Sequence, residues 1–415
     1  MGAALQLTSG QQAAYEDFTT FLSNDQQQVF VLEGFAGTGK STLVEFLLSQ
    51  IHKIFRTLKL VNPQFKGRDV ILTATTNKAA EALELIAGQQ VRTIHSVIGM
   101  RVHTDFKTGK SQLVPTPGKD PVRNALIIID EASYVDSNLL NSIFRRTENC
   151  KIMFIGDPAQ LAPVKYTSTP VFDAGFPTAR LTEVVRQAKG NPIIDLSTMF
   201  RETVTSGEFF SFKPDGQHIQ HLPREDFDKA IVQEFTDPDW YDKKAKVLAW
   251  TNKTVVAYNQ AIRNLAKGSP VFHSGDYAVC NKYIHNSDCQ LKTDQMVLIT
   301  GITPAREHDV DGWIVKLDNR HKAFLPESLE AKKKRLKYAE GINDLSTTVD
   351  INKHWIDLRA AYACTINKSQ GSTYDKVFID LDDLKRCNQP NTLARLLYVA
   401  VSRARYQVIF TGDLV

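Results

Sequence analysis

The chain has 415 residues, 42% hydrophobic and 23% charged, with a formal net charge of +4 and a pI of about 8.6. That length suits two or three domains with sizeable cores, and the mild basicity permits a polyanionic partner without demanding one. Five cysteines with no C-x-x-C spacing argue against a disulfide framework or a zinc module, and no N-terminal run is apolar enough for a signal peptide or membrane span, so a cytoplasmic protein is expected.

In chain order, Leu7–Gln11 (LTSGQ) precedes a helix-like AAYEDFTTFL. Thr8 and Ser9 are candidate N-caps, and the Gln11 amide offers one donor and one acceptor to an adenine edge. Val29–Leu32 is a buried-strand pattern, after which Gly34, Gly39, Lys40 and Ser41 fit G-x-x-x-x-G-K-[ST] and Leu43 opens a helix-like run. A strand–loop–helix of this kind cradles phosphates on backbone N–H groups. Gly37, Thr38, Gly39, Lys40, Ser41 and Thr42 are therefore the candidate nucleotide contacts, with Lys40 on the β/γ-phosphates and the Ser41 hydroxyl on Mg²⁺.

The next strand, Val70–Ala74, turns at Thr75, Thr76 and Asn77 into a helix. Hydroxyl and amide side chains there suit phosphate-backbone contacts, and plain helix capping suits them equally. Thr93–Ser96 follows, then a less regular insertion over Val97–Arg123 with a hairpin turn at Thr108-Gly109 and Phe106 as its aromatic tip. Ala125–Asp130 (ALIIID) is a buried strand delivering Asp130 and Glu131, a metal-holding and a water-activating carboxylate if a phosphate loop lies beside them. After the strand Ile152–Ile155, Gln160 stands where a γ-phosphate could be sensed, and Leu181–Gln187 presents Arg186, whose planar fork suits a pair of phosphate oxygens.

Beyond Pro192 the chain changes character. Val247–Arg263 reads as a strand and a helix; Pro270–Trp355 is irregular and is expected to form a small inserted β-barrel, with Lys332–Lys337 (KKKRLK) as a solvated helix face. Ala360–Thr365 and Val377–Leu381 read as strands, and a helix-like NTLARLLYVAVSRAR places Arg403 and Arg405 just before the last strand. Two sets of buried strands alternating with helices predict an α/β fold with two largely parallel sheets.

Taken together, the motifs resemble superfamily 1 DNA helicases of the RecD/bacteriophage Dda type: LTSGQ, GFAGTGKS, LTATTNKAAEAL, TIHS, DEAS, GDPAQLAPV, LTEVVRQ, YACTINKSQGSTYD and LYVAVSRAR, in family order. The resemblance implies two RecA-like P-loop NTPase domains, residues 1–190 with the hairpin insertion at about 97–123 and residues 191–415 with an accessory insertion at about 270–355. It implies ATP and Mg²⁺ as cofactors and Gln11 on the adenine. Lys40, Asp130, Glu131, Gln160, Arg186 and Arg403 become the catalytic set, with Gly371 beside the nucleotide and Ser41 and Asp130 on the metal. Thr75, Asn77, His95, Phe106, Thr365, Asn367 and Lys368 fall in motifs lining a single-strand path; Asn367 replaces the histidine usual in relatives, which removes a stacking ring. The hairpin would be the strand-separating pin.

The implied activity is ATP-driven 5′-to-3′ translocation on single-stranded DNA with duplex unwinding. ATP would draw two sheets together between Lys40 and Arg403. Partners would be single-stranded DNA, duplex junctions and replication or single-strand-binding proteins, with a monomeric enzyme and no membrane. The alternative is a DNA-stimulated translocase that remodels protein–DNA complexes without processive unwinding. A GTPase would need N-K-x-D, which none of the Asn-Lys pairs completes, and an ABC-type signature would follow the phosphate loop, whereas TSGQQ precedes it.

Overall fold

The computed structural model describes residues 6–104, 111–163, 169–183, 190–237, 239–269, 271–318 and 321–414. The chain divides into two compact units, Met1–Asn191 with Thr198–Glu208, and Pro192–Ser197 with Phe209–Val415.

In the first unit, α1 (Ser9–Ser23) leads to β1 (Val29–Gly34), α2 (Lys40–Val61), β2 (Asp69–Ala74), α3 (Asn77–Ala87), β3 (Arg92–Thr93) and the single turn α4 (Ile94–Val97). An antiparallel hairpin, β4 (Met100–Thr104) and β5 (Ser111–Pro115), follows. Its expected turn, with Phe106, lies outside the described residues. Then come β6 (Val122–Arg123), β7 (Ala125–Asp130), α5 (Ser137–Arg145), β8 (Thr147–Glu148), β9 (Lys151–Gly156), α6 (Pro170–Asp173) and β10 (Thr178–Leu181).

Six strands form one parallel sheet in the order β10-β1-β9-β7-β2-β3. Buried on both faces, the central strands read as continuous apolar runs rather than alternating ones. One face packs on α1, α2 and α3 through Phe18, Phe21, Leu47, Ile51 and Leu83; the other packs on α5 and α6 through Leu139, Ile143 and Val171. Inside this core Lys151 buries its ammonium, which donates to the carbonyls of Phe21, Asn24 and Gln27 and lies 4.9 Å from the Phe21 ring. It satisfies carbonyls at the end of α1 that the helix itself leaves open.

Helix α7 (Pro192–Ser206) carries the chain onward. The second unit holds β11 (Ile219–His221), α8 (Arg224–Phe235), β12 (Ala245–Ala249) and α9 (Asn252–Lys267). An insertion contains β13 (Tyr277–Cys280), β14 (Ile284–His285), β15 (Gln290–Leu291), β16 (Met296–Glu307), β17 (Val310–Leu317), β18 (Lys322–Pro326), α10 (Leu329–Gly341), α11 (Leu345–His354) and β19 (Leu358–Ala360). The chain then resumes with β20 (Ala363–Thr365), α12 (Ile366–Ser369), β21 (Tyr374–Asp380), α13 (Leu381–Leu384), α14 (Pro390–Val401) and β22 (Ala404–Thr411). The second parallel sheet runs β11-β22-β21-β12-β20.

The insertion, expected as a small β-barrel, is a five-stranded antiparallel sheet, β18-β17-β16-β13-β19, whose edge strand β18 meets the segment leading into β19 at the Phe324–Trp355 bridge, with α10 and α11 beside it. Three expectations change. Ala360–Thr365 is not one strand: β19 pairs with β13 in the insertion and β20 with β12 in the parallel sheet, so the insertion returns at Ala360 rather than Trp355. Arg405 lies within β22, and only Arg403 precedes it. Lys332 is not solvated; it faces inward on α10 and donates to the Trp355 carbonyl at 2.9 Å, leaving Lys333, Lys334 and Lys337 outside.

Candidate nucleotide and nucleic-acid site

The phosphate loop leaves β1 at Gly34. A Cβ there would stand 2.6 Å from Thr38 Oγ1 and 2.9 Å from Lys40 Cγ, so only glycine lets the loop close over the strand end. Gly37 and Gly39 take φ of 83° and 78°, the left-handed conformation that costs glycine least. Thr38 is almost wholly buried, its hydroxyl donating to the Phe35 carbonyl at 2.9 Å. Lys40, the first residue of α2, folds its ammonium over the loop onto the carbonyls of Gly34 and Phe35, the latter at 3.0 Å. Ser41 is exposed and Thr42 half-buried in the first turn of α2, where unpaired N–H groups and the helix dipole favour an anion.

Gln11 sits directly behind the loop. It is N3 of α1, in a capping box with Thr8: its Oε1 accepts from Thr8 N–H, and its N–H donates to Thr8 Oγ1. Its Nε2 donates to the Gly39 carbonyl at 3.2 Å. Each end of the amide makes one hydrogen bond within the protein, half of what an amide NH2 and carbonyl can make. The T-x-x-Q spacing of a capping box was a signal in the sequence for this geometry.

Asp130 closes β7 at the same sheet edge. Burial pushes its carboxyl above the usual range, opposed by the hydrogen bond from Glu131 N–H at 2.8 Å and by the charge of Lys40. Glu131 adopts φ 54° and ψ 47°. A left-handed glutamate stores of the order of 1–3 kcal/mol of backbone strain, which the surroundings must hold. They do so through its carbonyl, which accepts from Tyr134 N–H at 3.1 Å and from Thr75 Oγ1 at 3.0 Å. Gln160, buried, follows Asp157 in the turn after β9 and donates its N–H to the Asp157 carbonyl at 3.2 Å. Arg186 lies outside the described residues.

The residues assigned to a single-strand path fall at strand-to-helix turns. Asn77 opens α3, capped by Thr76 Oγ1, which accepts from Ala79 N–H. Thr75 is buried and committed to Glu131. His95 sits in α4, where burial lowers its pKa against the opposing charge of Asp136. In the second unit Thr365 caps α12, its hydroxyl accepting from Lys368 N–H at 3.3 Å; Asn367 and Lys368 lie within that turn, and Lys368 pairs with Asp294 at 2.6 Å. Gly371 follows at φ 73°. Arg403 is buried, donating to the carbonyls of Val399 and Ser372 and to Ser402 Oγ.

One repeat escaped the sequence reading. Thr-Asn-Lys occurs at 76–78 and again at 251–253, each time at the turn from a parallel strand into a helix, with the threonine as cap. The repeated tripeptide was the available signal.

Ser41 and Asp130 present hard oxygen donors at one sheet edge, which fits Mg²⁺, an ion that takes few protein ligands and completes its shell with water and phosphate. Among the described residues no group of three or more His, Cys, Asp or Glu side chains could hold a metal by itself, and no helix is long and apolar enough to cross a membrane.

A parallel α/β sheet bearing a phosphate loop and a strand-end Asp-Glu pair, followed by a second parallel sheet, defines a P-loop NTPase with two RecA-like halves. The AAA domain family model matches residues 6–222, more than half of the chain, and a UvrD-like helicase C-terminal domain matches residues 360–411. The chain belongs to this AAA family, among superfamily 1 helicases of the RecD/Dda/Pif1 type. It is 24% identical to the ATP-dependent DNA helicase dda of Enterobacteria phage T4 over 459 residues, covering 97% of this chain and 99% of the relative. It is 26% identical to the ATP-dependent RecD2 DNA helicase of Deinococcus radiodurans over 405 residues, 93% of this chain but 47% of that longer protein. The fold matches Pif1 helicase from Bacteroides, solved in complex with ADP-AlF3 and ssDNA, with a TM-score of 0.52 at 17% identity over 99% of this chain and 93% of that one.

Proposed function

We propose that this protein is an ATP-dependent DNA helicase that moves 5′-to-3′ on single-stranded DNA and unwinds the duplex ahead of it. The observation that carries the reading is that the phosphate loop with Lys40 and the Asp130-Glu131 pair both follow the ends of strands of one parallel sheet, β1 and β7, with β9 between them. Lys40 would exchange its carbonyl partners for β/γ-phosphate oxygens, gaining charge-assisted bonds in place of neutral ones. Glu131 would orient and deprotonate the attacking water, with Gln160 and Arg186 on the γ-phosphate. Arg403 would contact the γ-phosphate. Mg²⁺, held through Ser41 and Asp130, would neutralise charge developing on the phosphates.

Asn77, His95, Thr365, Asn367 and Lys368 would meet the strand, with the β4–β5 hairpin as pin. ATP binding favours one conformational state of the motor over another, and a grip that differs between the states converts turnover into movement. The enzyme would act as a monomer in the cytoplasm, beside replication or single-strand-binding proteins. The test is hydrolysis with and without single-stranded DNA. Stimulation in the intact protein, lost in Lys40→Ala while strand binding persists, is expected; an ATPase indifferent to DNA would overturn the reading.

A further inference from the structure

Thr75 belongs by its motif to the strand path, yet its geometry serves a different end. It follows β2 directly, and Ala74 is in register with Asp130 on the neighbouring strand β7. From that position Thr75 N–H donates to the Asp130 carbonyl at 3.3 Å, and its hydroxyl donates to the Glu131 carbonyl at 3.0 Å. The side chain is 8% exposed, too enclosed to be a general surface contact. Its partner is the backbone of a glutamate held in the left-handed region, where a non-glycine residue stays only if its neighbours fix it.

We infer that Thr75 is a positioning residue for hydrolysis: its hydroxyl holds the Glu131 backbone, and so the carboxylate, in the orientation needed to activate water. Thr76 and Asn77, the next two residues, cap and open α3, the helix whose N-terminus is the candidate phosphate-backbone contact. A strand gripped at Asn77 therefore lies two residues from the hydroxyl that sets Glu131, and this short turn is the path by which DNA raises ATP turnover. The inference rests on the reading of Glu131 as the water-activating group.

Thr75→Val keeps the β-branched shape and removes the hydroxyl. It should lower the DNA-stimulated kcat about fivefold or more, the worth of one hydrogen bond, while KM for ATP, strand affinity and thermal melting stay close to those of the parent, because the Glu131 carbonyl keeps its bond from Tyr134 N–H. Thr75→Ser restores the hydroxyl and should recover most of the rate. If Thr75→Val instead weakened strand binding with kcat at saturating DNA unchanged, Thr75 would be a DNA contact and the inference would fall. It would fall equally if Thr75→Ser failed to recover the rate. Glu131→Gln separates the two layers: should it hydrolyse ATP normally, the reading of Glu131 fails, whereas an inactive Glu131→Gln beside a fully active Thr75→Val rejects only the positioning role.

Discussion

Gln11 Nε2 donates to the carbonyl of Gly39, 3.2 Å away, and so ties the first helix of the chain to the N-cap of the phosphate-loop helix. The other end of the same amide accepts from Thr8 N–H. An amide carries two N–H donors and two acceptor lone pairs, so these two bonds brace the loop without exhausting its capacity for an adenine edge.

The consequence is a test of base selectivity. Gln11→Ala loosens the loop whatever the base, so kcat/KM should fall severalfold for GTP as well as ATP, and the adenine contact the motif implies should add a further loss on ATP. Steady-state kinetics with both nucleotides checks this. An unchanged kcat/KM for GTP would contradict the role in the loop.

Arg403 combines two roles that a single substitution disturbs together. Its guanidinium donates to two carbonyls and one hydroxyl of the second unit while belonging to the proposed phosphate contacts. Arg403→Ala should abolish DNA-stimulated hydrolysis and also lower the melting temperature, since the Ser372 carbonyl loses its guanidinium donor at a cost of about 1–3 kcal/mol, while Val399 keeps a bond from Ser402 Oγ. Strand binding, measured by anisotropy below the melting range, should persist. Near-normal ATPase in this variant would remove Arg403 from the motor.

Lys151 is structural. Lys151→Met preserves the aliphatic stem but leaves three carbonyls, of Phe21, Asn24 and Gln27, without their shared donor. A destabilisation of about 3 kcal/mol is expected, read as a lowered urea midpoint with hydrolysis unimpaired at temperatures where the variant stays folded.

Lys332 predicts a pH dependence. Burial, with the nearby charge of Lys282, lowers its pKa from 10.5 to about 8, and Asp357 only partly opposes this. The folded chain then binds fewer protons at this site than the unfolded chain does, so its contribution to stability rises with pH from about 8 toward 10.5 and is least favourable below 8. Lys332→Met removes the desolvated charge and with it the donor to the Trp355 carbonyl, so the readout is the trend with pH: the parent should gain stability relative to the variant as pH rises from about 8 toward 10.5. A loss of stability relative to the variant over that range would reverse the assignment.

Legibility followed burial. The ALIIID run over 125–130 is strand β7 to the residue, because a strand covered on both faces must be apolar throughout and its end is marked by the first carboxylates. The phosphate loop was equally plain, its glycines being demanded by φ near 80° at Gly37 and Gly39. The insertion was harder to read. Its sheet is only partly covered, so alternation along β16 fades from buried to exposed and leaves no clean strand period to read. Within KKKRLK, identical side chains hid the helical phase that turns Lys332 inward. The Thr75 hydroxyl finds a carbonyl 56 residues away, a contact that depends on β2 lying beside β7 and leaves no local trace.

The central claim is that hydrolysis at this loop drives directional strand separation. The most direct measurement is displacement of a labelled strand from duplexes carrying either a 5′ or a 3′ single-stranded tail, with ATP, using the intact protein and Lys40→Ala. Unwinding of the 5′-tailed duplex alone, absent in Lys40→Ala, is predicted. Unwinding of only the 3′-tailed duplex, or equal displacement by Lys40→Ala, would contradict the account.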